Sequence, residues 1–428
     1  MIVNFSVENW TSFKDRQEVT MYASSERRFK DRCPYVKKYH QSFLPALMLI
    51  GGNAAGKSNF LAALAFLKAL VLIPLENEER IPVQPYIFQE GEDLSLTSFS
   101  IEMLIDDDIY RLDIQLNERE IVYEKLSLEN SCSVHLLYER KNGELILGPK
   151  YKGDASLEVI AQGTRKNRLF LTNSMDQQNE SFSMVYQWFK DLVIINPDQI
   201  FLLSENMAQD IEDISQRFLP KLDTGIKRIE FRELPEEKIA LPSDLLDDIR
   251  NTIISDDQLG FVQNADGTEQ VMIQYSQGRR IFKKAFSVHN TSDGEYILDL
   301  KHESEGTRRV INLLPQLYEL MKKKKGVLVI DELDRSLHTQ LTQALLEAYL
   351  ENCGPDKRTQ FIFSTHDMML LNQELLRRDE MWLVERNRYN ESELFSISDF
   401  DQVRYDTDIR KLYLNGRFGG NPKISSIF

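Results

Sequence analysis

Cysteine is scarce: Cys33, Cys132 and Cys353 are the whole complement, and no two of them form a C-x-x-C pair. An odd, scattered set excludes a disulfide framework and a cysteine zinc site, and it fits a reducing compartment. Long apolar runs are missing as well. The longest, near Ala62 to Ile73, is interrupted by Lys68 and ends at Pro74, short of the roughly 20 residues that cross a bilayer. The N-terminal MIVNFSVENW has neither a basic region nor a cleavable apolar stretch. A soluble cytoplasmic protein without a membrane partner is expected. Positive charge is also in deficit, with 52 Lys and Arg against 67 Asp and Glu and a net charge of −15. That balance argues against a broad nucleic-acid surface. Two local basic stretches remain, Arg27 to Lys38 and Lys322 to Lys325; nucleic acid is thus a conceivable partner that the charge does not indicate.

What is present is ordinary globular composition, 42% apolar and 28% charged over 428 residues, enough for two or three domains' worth of core. The chain has no internal repeat and no low-complexity segment. Its sharpest local feature is GGNAAGKSN, Gly51 to Asn59, which satisfies G-x-x-x-x-G-K-[ST]. In that pattern glycines let backbone N–H groups close around phosphates, Lys57 reaches the β and γ oxygens, and Ser58 binds Mg²⁺. Gly51, Asn53, Gly56, Lys57, Ser58 and Asn59 are the expected nucleotide contacts. A strand-like run, Ala46 to Ile50, leads in and a helix-like run, Asn59 to Leu72, leads out, so a helix N-terminus points at the anion.

Two strands, Ile2 to Val7 and Gln17 to Tyr22, open the chain. From Phe99 the segments SFSIEML, IYRLDIQL, EIVYEKLSL and VHLLYER alternate as an antiparallel meander. The character changes from Gly153 to about Asn290, with helix-like stretches at Ser181 to Lys190, Glu205 to Leu219 and Ser243 to Ile254. Strand-like pieces at Gln270 to Tyr275 and Arg279 to Phe286 close it. Helix and strand then alternate: Thr307 to Met321, Gly326 to Asp331, Thr339 to Leu350, Thr359 to Thr365 and Met381 to Arg386. Short apolar strands between helices read as a buried parallel sheet. The expected organisation is a discontinuous α/β head (1–88 and 295–428), a β subdomain (89–150) and a mixed, largely helical insertion or lid (151–294).

GVLVIDEL ends a buried strand in Asp331 and Glu332. Carboxylates at the carboxyl end of a parallel strand sit in the crevice where α/β sheets bind ligands. Asp331 is expected to hold Mg²⁺ with Ser58, and Glu332 to polarise a water in line with the γ-phosphate. TQFIFSTHD puts His366 at the end of the next strand, suited to the γ-phosphate or the attacking water. In HESEGTRR, Ser304 is a good N-cap and Glu303 and Glu305 favour the positive helix end, so capping alone accounts for it. The alternative is that Ser304, with N–H groups near Gly306, grips a γ-phosphate held by a second copy. In the tail, Gly416, Gly419 and Gly420 around Arg417 suggest a glycine-enabled turn that docks the C-terminus, the alternative being that Arg417 contacts nucleotide or a partner.

The order of phosphate loop, insertion, S-x-G-x helix, strand with Asp-Glu, DRSLH and strand with His resembles the ABC-type ATPase heads, including the chromosome-maintenance and double-strand-break-repair group. That resemblance implies an ABC-type P-loop NTPase: a mixed sheet flanked by helices, with an antiparallel β subdomain. It implies ATP and Mg²⁺ as cofactors, Ser304 to Thr307 as the signature acting in trans, Asp334 as the D-loop aspartate and His366 as the switch histidine. Gln84 and Gln89 both offer themselves as the glutamine that senses Mg²⁺. The stretches GGNAAGKSNF, LYER, ESEGTRR, DELDRSLH, STHD and YLNGRFGGNP resemble, more narrowly, bacterial ATPases of anti-phage and restriction-linked operons, the RloA-like group.

Two features depart from the ABC pattern: Glu305 stands where glycine is usual and Glu303 replaces an apolar residue. Two carboxylates facing a nucleotide would repel it, so slow intrinsic hydrolysis, raised by a partner or trigger, is expected. Heads of this class use ATP to pin two copies together. A second copy of the chain and a separately encoded effector, a nuclease in the leading reading, are the expected partners, because the residues after His366 leave no room for a nuclease domain. A repair-type clamp acting directly on DNA is the alternative. A transporter subunit ranks below both, since the insertion is larger and more β-rich than that class requires.

Overall fold

A computed structural model describes residues 1–88, 96–131, 133–196, 205–239, 246–247, 259–263, 270–400 and 407–418. The chain divides into two compact units. One comprises Met1–Ile194, Lys324–Leu333 and Leu350–Phe428; the other comprises Ile195–Lys323 and Asp334–Tyr349. The expected insertion is therefore shared: helices Ala155–Gln162, Phe170–Asp176 and Ser183–Asp191 belong to the first unit and the remainder to the second. Nearly all of the helix expected at Ser243 to Ile254 lies outside the described residues.

The first unit opens with β1 (Ile2–Glu8) and β2 (Gln17–Thr20), adds a small hairpin of β3 (Tyr35–Val36) and β4 (Gln41–Ser42), and enters the buried strand β5 (Ala46–Ile50). Helix α1 (Lys57–Leu72) follows, then β6 (Thr97–Ile105), β7 (Asp108–Leu116), β8 (Ile121–Glu129), β9 (Val134–Lys141), β10 (Glu144–Leu147) and β11 (Val193–Ile195). The expected meander forms, and β1 extends it by pairing antiparallel with β6, giving the order β10-β9-β8-β7-β6-β1-β2. Helix α1 buries Phe60, Leu61, Ala63, Leu64, Leu67, Leu70 and Val71, more than one stripe of its surface. A helix apolar nearly all round belongs inside a core. Phe66 meets the rings of Trp10 and Phe99 at 5.1 and 5.4 Å. Each such side chain taken from water contributes about 1.5–3 kcal/mol.

LYER has a structural task here. Glu124 is fully buried on β8 and accepts hydrogen bonds from the Tyr138 hydroxyl (2.7 Å) and from the N–H groups of Phe170 (2.7 Å) and Leu171 (3.0 Å). Arg140 lies 3.8 Å away. Burial raises the Glu124 carboxyl above its ordinary value, opposed first by Arg140 and then by these donors. The carboxylate satisfies the first turn of helix Phe170–Asp176, whose N-terminal N–H groups have no partner within the helix.

The second unit holds β12 (Ile226–Leu234), β13 (Leu259–Gln263), β14 (Gln270–Ser276), β15 (Arg279–Thr291) and β16 (Gly294–Asp299), in the order β12-β15-β14-β13 with β16 on β15. Helices Glu205–Phe218 and Glu305–Lys322 pack together, with the Phe218 and Tyr318 rings 5.4 Å apart.

Back in the first unit, β17 (Lys325–Ile330), β18 (Arg358–Thr365), β19 (Met381–Arg386) and β20 (Ser392–Ser396) build the second sheet, ordered β11-β17-β18-β5-β19-β20. Strands β17, β18, β5 and β19 are parallel neighbours in turn, and β20 returns antiparallel to β19. With neighbouring strands about 4.8 Å apart, β17 and β5 end about 9.6 Å from one another with β18 between them. That gap is where the chemistry-bearing residues converge.

Candidate functional site

The phosphate loop is built as its sequence demands. Gly56 takes φ +117°, and a Cβ there would lie 2.4 Å from Ser392 Oγ. A Cβ on Gly51 would lie 2.1 Å from the Val384 carbonyl oxygen. The β19–β20 hairpin thus braces the loop from behind. Ser392 Oγ donates to the Ala55 carbonyl at 2.7 Å and is 2.8 Å from Ser12 Oγ. Lys57, 4% exposed, donates to the carbonyls of Gly51 (2.9 Å) and Gly52 (3.0 Å). Its Nζ is also 3.3 Å from His366 Nδ1, at the end of the neighbouring β18.

Asp331 and Glu332 follow β17. Asp331 is 5% exposed, and its Oδ1 accepts from Ser364 Oγ on β18. The same Ser364 Oγ accepts the Glu332 N–H at 2.8 Å, and the Ser364 carbonyl accepts the Leu333 N–H at 2.9 Å. Glu332 sits at φ 51°, a left-handed backbone uncommon for a side chain of its kind. Asn53 to Asn59, Glu332, His366 and Arg386 line one cavity of about 320 Å³. Residues 47–372 match the family described as "AAA domain, putative AbiEii toxin, Type IV TA system". The chain belongs to this AAA family.

Two solved structures are similar to this AAA chain. The SMC head domain from Thermotoga maritima shares 13% identity over 92% of this chain and 98% of that one, with a TM-score of 0.39. An SmcHead bound to the C-winged helix domain of ScpA shares 12% identity over 92% and 97%, with a TM-score of 0.40. No curated protein matches.

The AAA site offers hard oxygen donors, the exposed Ser58 hydroxyl on the first turn of α1 and the Asp331 carboxylate. No cluster of three or more His, Cys, Asp or Glu suited to a metal occurs among the described residues. That donor set fits Mg²⁺, which takes one or two protein oxygens plus substrate phosphates rather than a closed cage.

Several expected residues hold other positions. Asn59 lines the cavity, but its Nδ2 donates to Ser12 Oγ at 2.8 Å and its carbonyl accepts Trp10 Nε1 at 2.8 Å, so it anchors α1. Gln84 is exposed and does not line the cavity; its carbonyl accepts the Thr11 N–H at 2.8 Å. Gln89 lies outside the described residues. Ser304, Gly306 and Asp334 belong to the second unit. Ser304 Oγ caps its helix by accepting the Thr307 N–H at 3.1 Å. A Cβ on Gly306 would lie 2.4 Å from the Ser336 carbonyl oxygen, two residues after Asp334.

One expectation is corrected. Glu303 does not face a nucleotide: its carboxylate turns into the second unit, 2.6 Å from His289 Nε2, and accepts from Ser287 Oγ. A half-buried histidine on β15 supplies the partner, which no local pattern reveals. Glu305 remains exposed, 4.0 Å from Arg335 Nε. The residue missed altogether is Arg386. The only signal was a basic residue closing the apolar strand MWLVER.

Proposed function

We propose that the protein binds ATP and Mg²⁺ and hydrolyses ATP slowly, with nucleotide pinning two heads together as an assembly switch for a separately encoded effector. The observation that carries this reading is the convergence of Lys57, His366 and Glu332 on one cavity beside the buried Asp331. Lys57 leaves its two carbonyls for the β and γ oxygens of ATP, and His366 meets the γ-phosphate. Glu332 takes the proton of the attacking water as its oxygen bonds to the γ-phosphorus; the bond to the β,γ-bridging oxygen breaks, and ADP departs with inorganic phosphate. Ser58 and Asp331 are the residues that would hold Mg²⁺, which would supply positive charge to the bound phosphates.

Ser304, Gly306 and Asp334 are assigned to the second copy's nucleotide, so that each site is completed in trans. Slow turnover now rests on Glu305 alone. The family description, which refers to a toxin–antitoxin system, is in keeping with a two-component arrangement in which a nuclease or other effector is encoded apart, as in the anti-phage operons that the sequence resembles. The DNA-clamp reading draws less support. Arg28 and Arg32 donate to the carbonyls of Gln373 and Leu375, and Lys38 and Lys325 pair with Asp108 and Asp106.

The test is Glu332→Gln beside the wild type. The variant should bind ATP, form ATP-dependent dimers or larger assemblies in analytical ultracentrifugation, and not hydrolyse. Normal hydrolysis by that variant would reject Glu332 as base, and salt-sensitive, ATP-dependent binding to DNA would favour the clamp.

A further inference from the structure

We propose that Arg386 is a nucleotide-binding residue that takes the α-phosphate, on the opposite flank of the phosphate loop from the hydrolytic groups. The inference rests on the ATP-binding reading above and adds to it a contact that no phosphate-loop motif specifies.

Sheet order assigns the flanks. Strand β5 feeds the phosphate loop; β18 lies on one side of it and carries His366, with β17 and its carboxylates beyond, while β19 lies on the other. Lys57 Nζ faces His366, so the end of the triphosphate that the lysine holds, β and γ, lies toward β18. The α-phosphate and nucleoside are left for the β19 side. Strand β19 pairs with β5 only as far as Leu383↔Ile50. It then runs on through Val384 and Glu385 to Arg386, about 10 Å farther at 3.3 Å per residue, alongside the loop rather than beneath it.

The path is fixed at two points: the Val384 carbonyl fills the space that a Cβ on Gly51 would need, and Ser392, the register partner of Arg386, bonds the Ala55 carbonyl. Arg386 lines the cavity, and its Nε is buried without a hydrogen-bond partner among the described residues. A guanidinium stays charged at any physiological pH and offers a planar fork that matches a phosphate. A fork of that kind on the cavity wall beside a phosphate loop is the charge that an α-phosphate would meet.

Calorimetric titration of the full chain with ATP, ADP and GTP tests this, using Arg386→Ala, Arg386→Gln and Arg386→Lys, each checked for its thermal unfolding. Arg386→Ala should weaken ATP, ADP and GTP by the same factor, about tenfold to a hundredfold. Arg386→Lys should fall between wild type and Arg386→Gln, which keeps the test open if the alanine variant does not fold. Wild-type affinity in the variants would overturn the proposal. A loss confined to ATP and GTP would place the group on the γ-phosphate, and unequal losses for ATP and GTP would place it on the base; either overturns the assignment. Lys57→Ala runs in parallel. If it binds ATP normally, the phosphate-loop reading itself fails, whereas loss of binding there with a neutral Arg386→Ala rejects only the inference about Arg386.

Discussion

Lys57 Nζ and His366 Nδ1 stand 3.3 Å apart, joining the first turn of α1 to the end of β18. The amine also holds the carbonyls of Gly51 and Gly52, groups that the proposed binding of ATP would have it exchange for phosphate oxygens. Lys57→Ala should lower ATP affinity about a hundredfold or more, since charge-assisted hydrogen bonds contribute about 1.5–3 kcal/mol each. His366→Ala should bind ATP within a few-fold of wild type yet hydrolyse it about a hundredfold more slowly. Equilibrium titration and single-turnover kinetics separate the two effects.

Ser364 ties both acidic residues to β18, donating to Asp331 and accepting the Glu332 N–H. Ser364→Ala leaves a buried carboxylate and a backbone donor short of a partner, at a cost of about 1–3 kcal/mol. Turnover should fall at least about tenfold and the Mg²⁺ concentration for half-maximal rate should rise, while Ser364→Thr keeps the hydroxyl and both values. An unchanged Mg²⁺ titration in the alanine variant would remove Ser364 from this role.

Neither loop glycine should tolerate a side chain, each for its own reason. A Cβ on Gly51 meets the Val384 backbone oxygen at 2.1 Å, and neither strand can yield, so Gly51→Ala should lose nucleotide binding and stability together. Gly56→Ala meets the Ser392 side chain but also keeps φ +117°. Adding Ser392→Gly removes the closest contacts but leaves Ser12 Oγ at 3.0 Å and the positive φ, so the double variant should remain impaired. Thermal shift with and without ATP reads both.

Glu380 predicts a pH effect on stability far from the cavity. Burial pushes its carboxyl up to about 8, aided by Asp379 and opposed by the Arg377 N–H, the Arg377 charge and Arg32. The folded value exceeds the unfolded one, so the group's contribution is complete below about pH 4.5 and is lost as pH rises through about 8. Glu380→Gln removes that loss. Its melting temperature relative to wild type should climb between about pH 5 and about pH 9; a constant difference would mean that Glu380 does not titrate in this range.

Much of the site was legible because its requirements are local. A phosphate loop needs fixed glycines, a lysine and a helix within nine positions, and the strand ends Asp331 and His366 follow from apolar runs that stop at a polar residue. The structure keeps Ala46–Ile50, Thr339–Leu350 and Met381–Arg386 where the pattern put them. What escaped depends on distant pairings. Nothing near Glu303 announces His289, nothing near Gly56 announces Ser392, and Arg386 becomes a site residue only once β19 is known to lie beside β5. Strand β12, IKRIEFREL, is charged through most of its length and buries only Ile226 and Ile229, so its sequence carries no clear strand alternation.

Gly306 has no side chain where the Ser336 carbonyl comes within 2.4 Å of a Cβ position, and Ser336 itself sits at φ 59°. The turn after Asp334 and the start of helix Glu305–Lys322 are therefore seated against each other with no clearance. A side chain at position 306 would have to push the turn after Asp334 aside, so the two segments share one fit, like a tongue in its slot, rather than standing as two independent contacts.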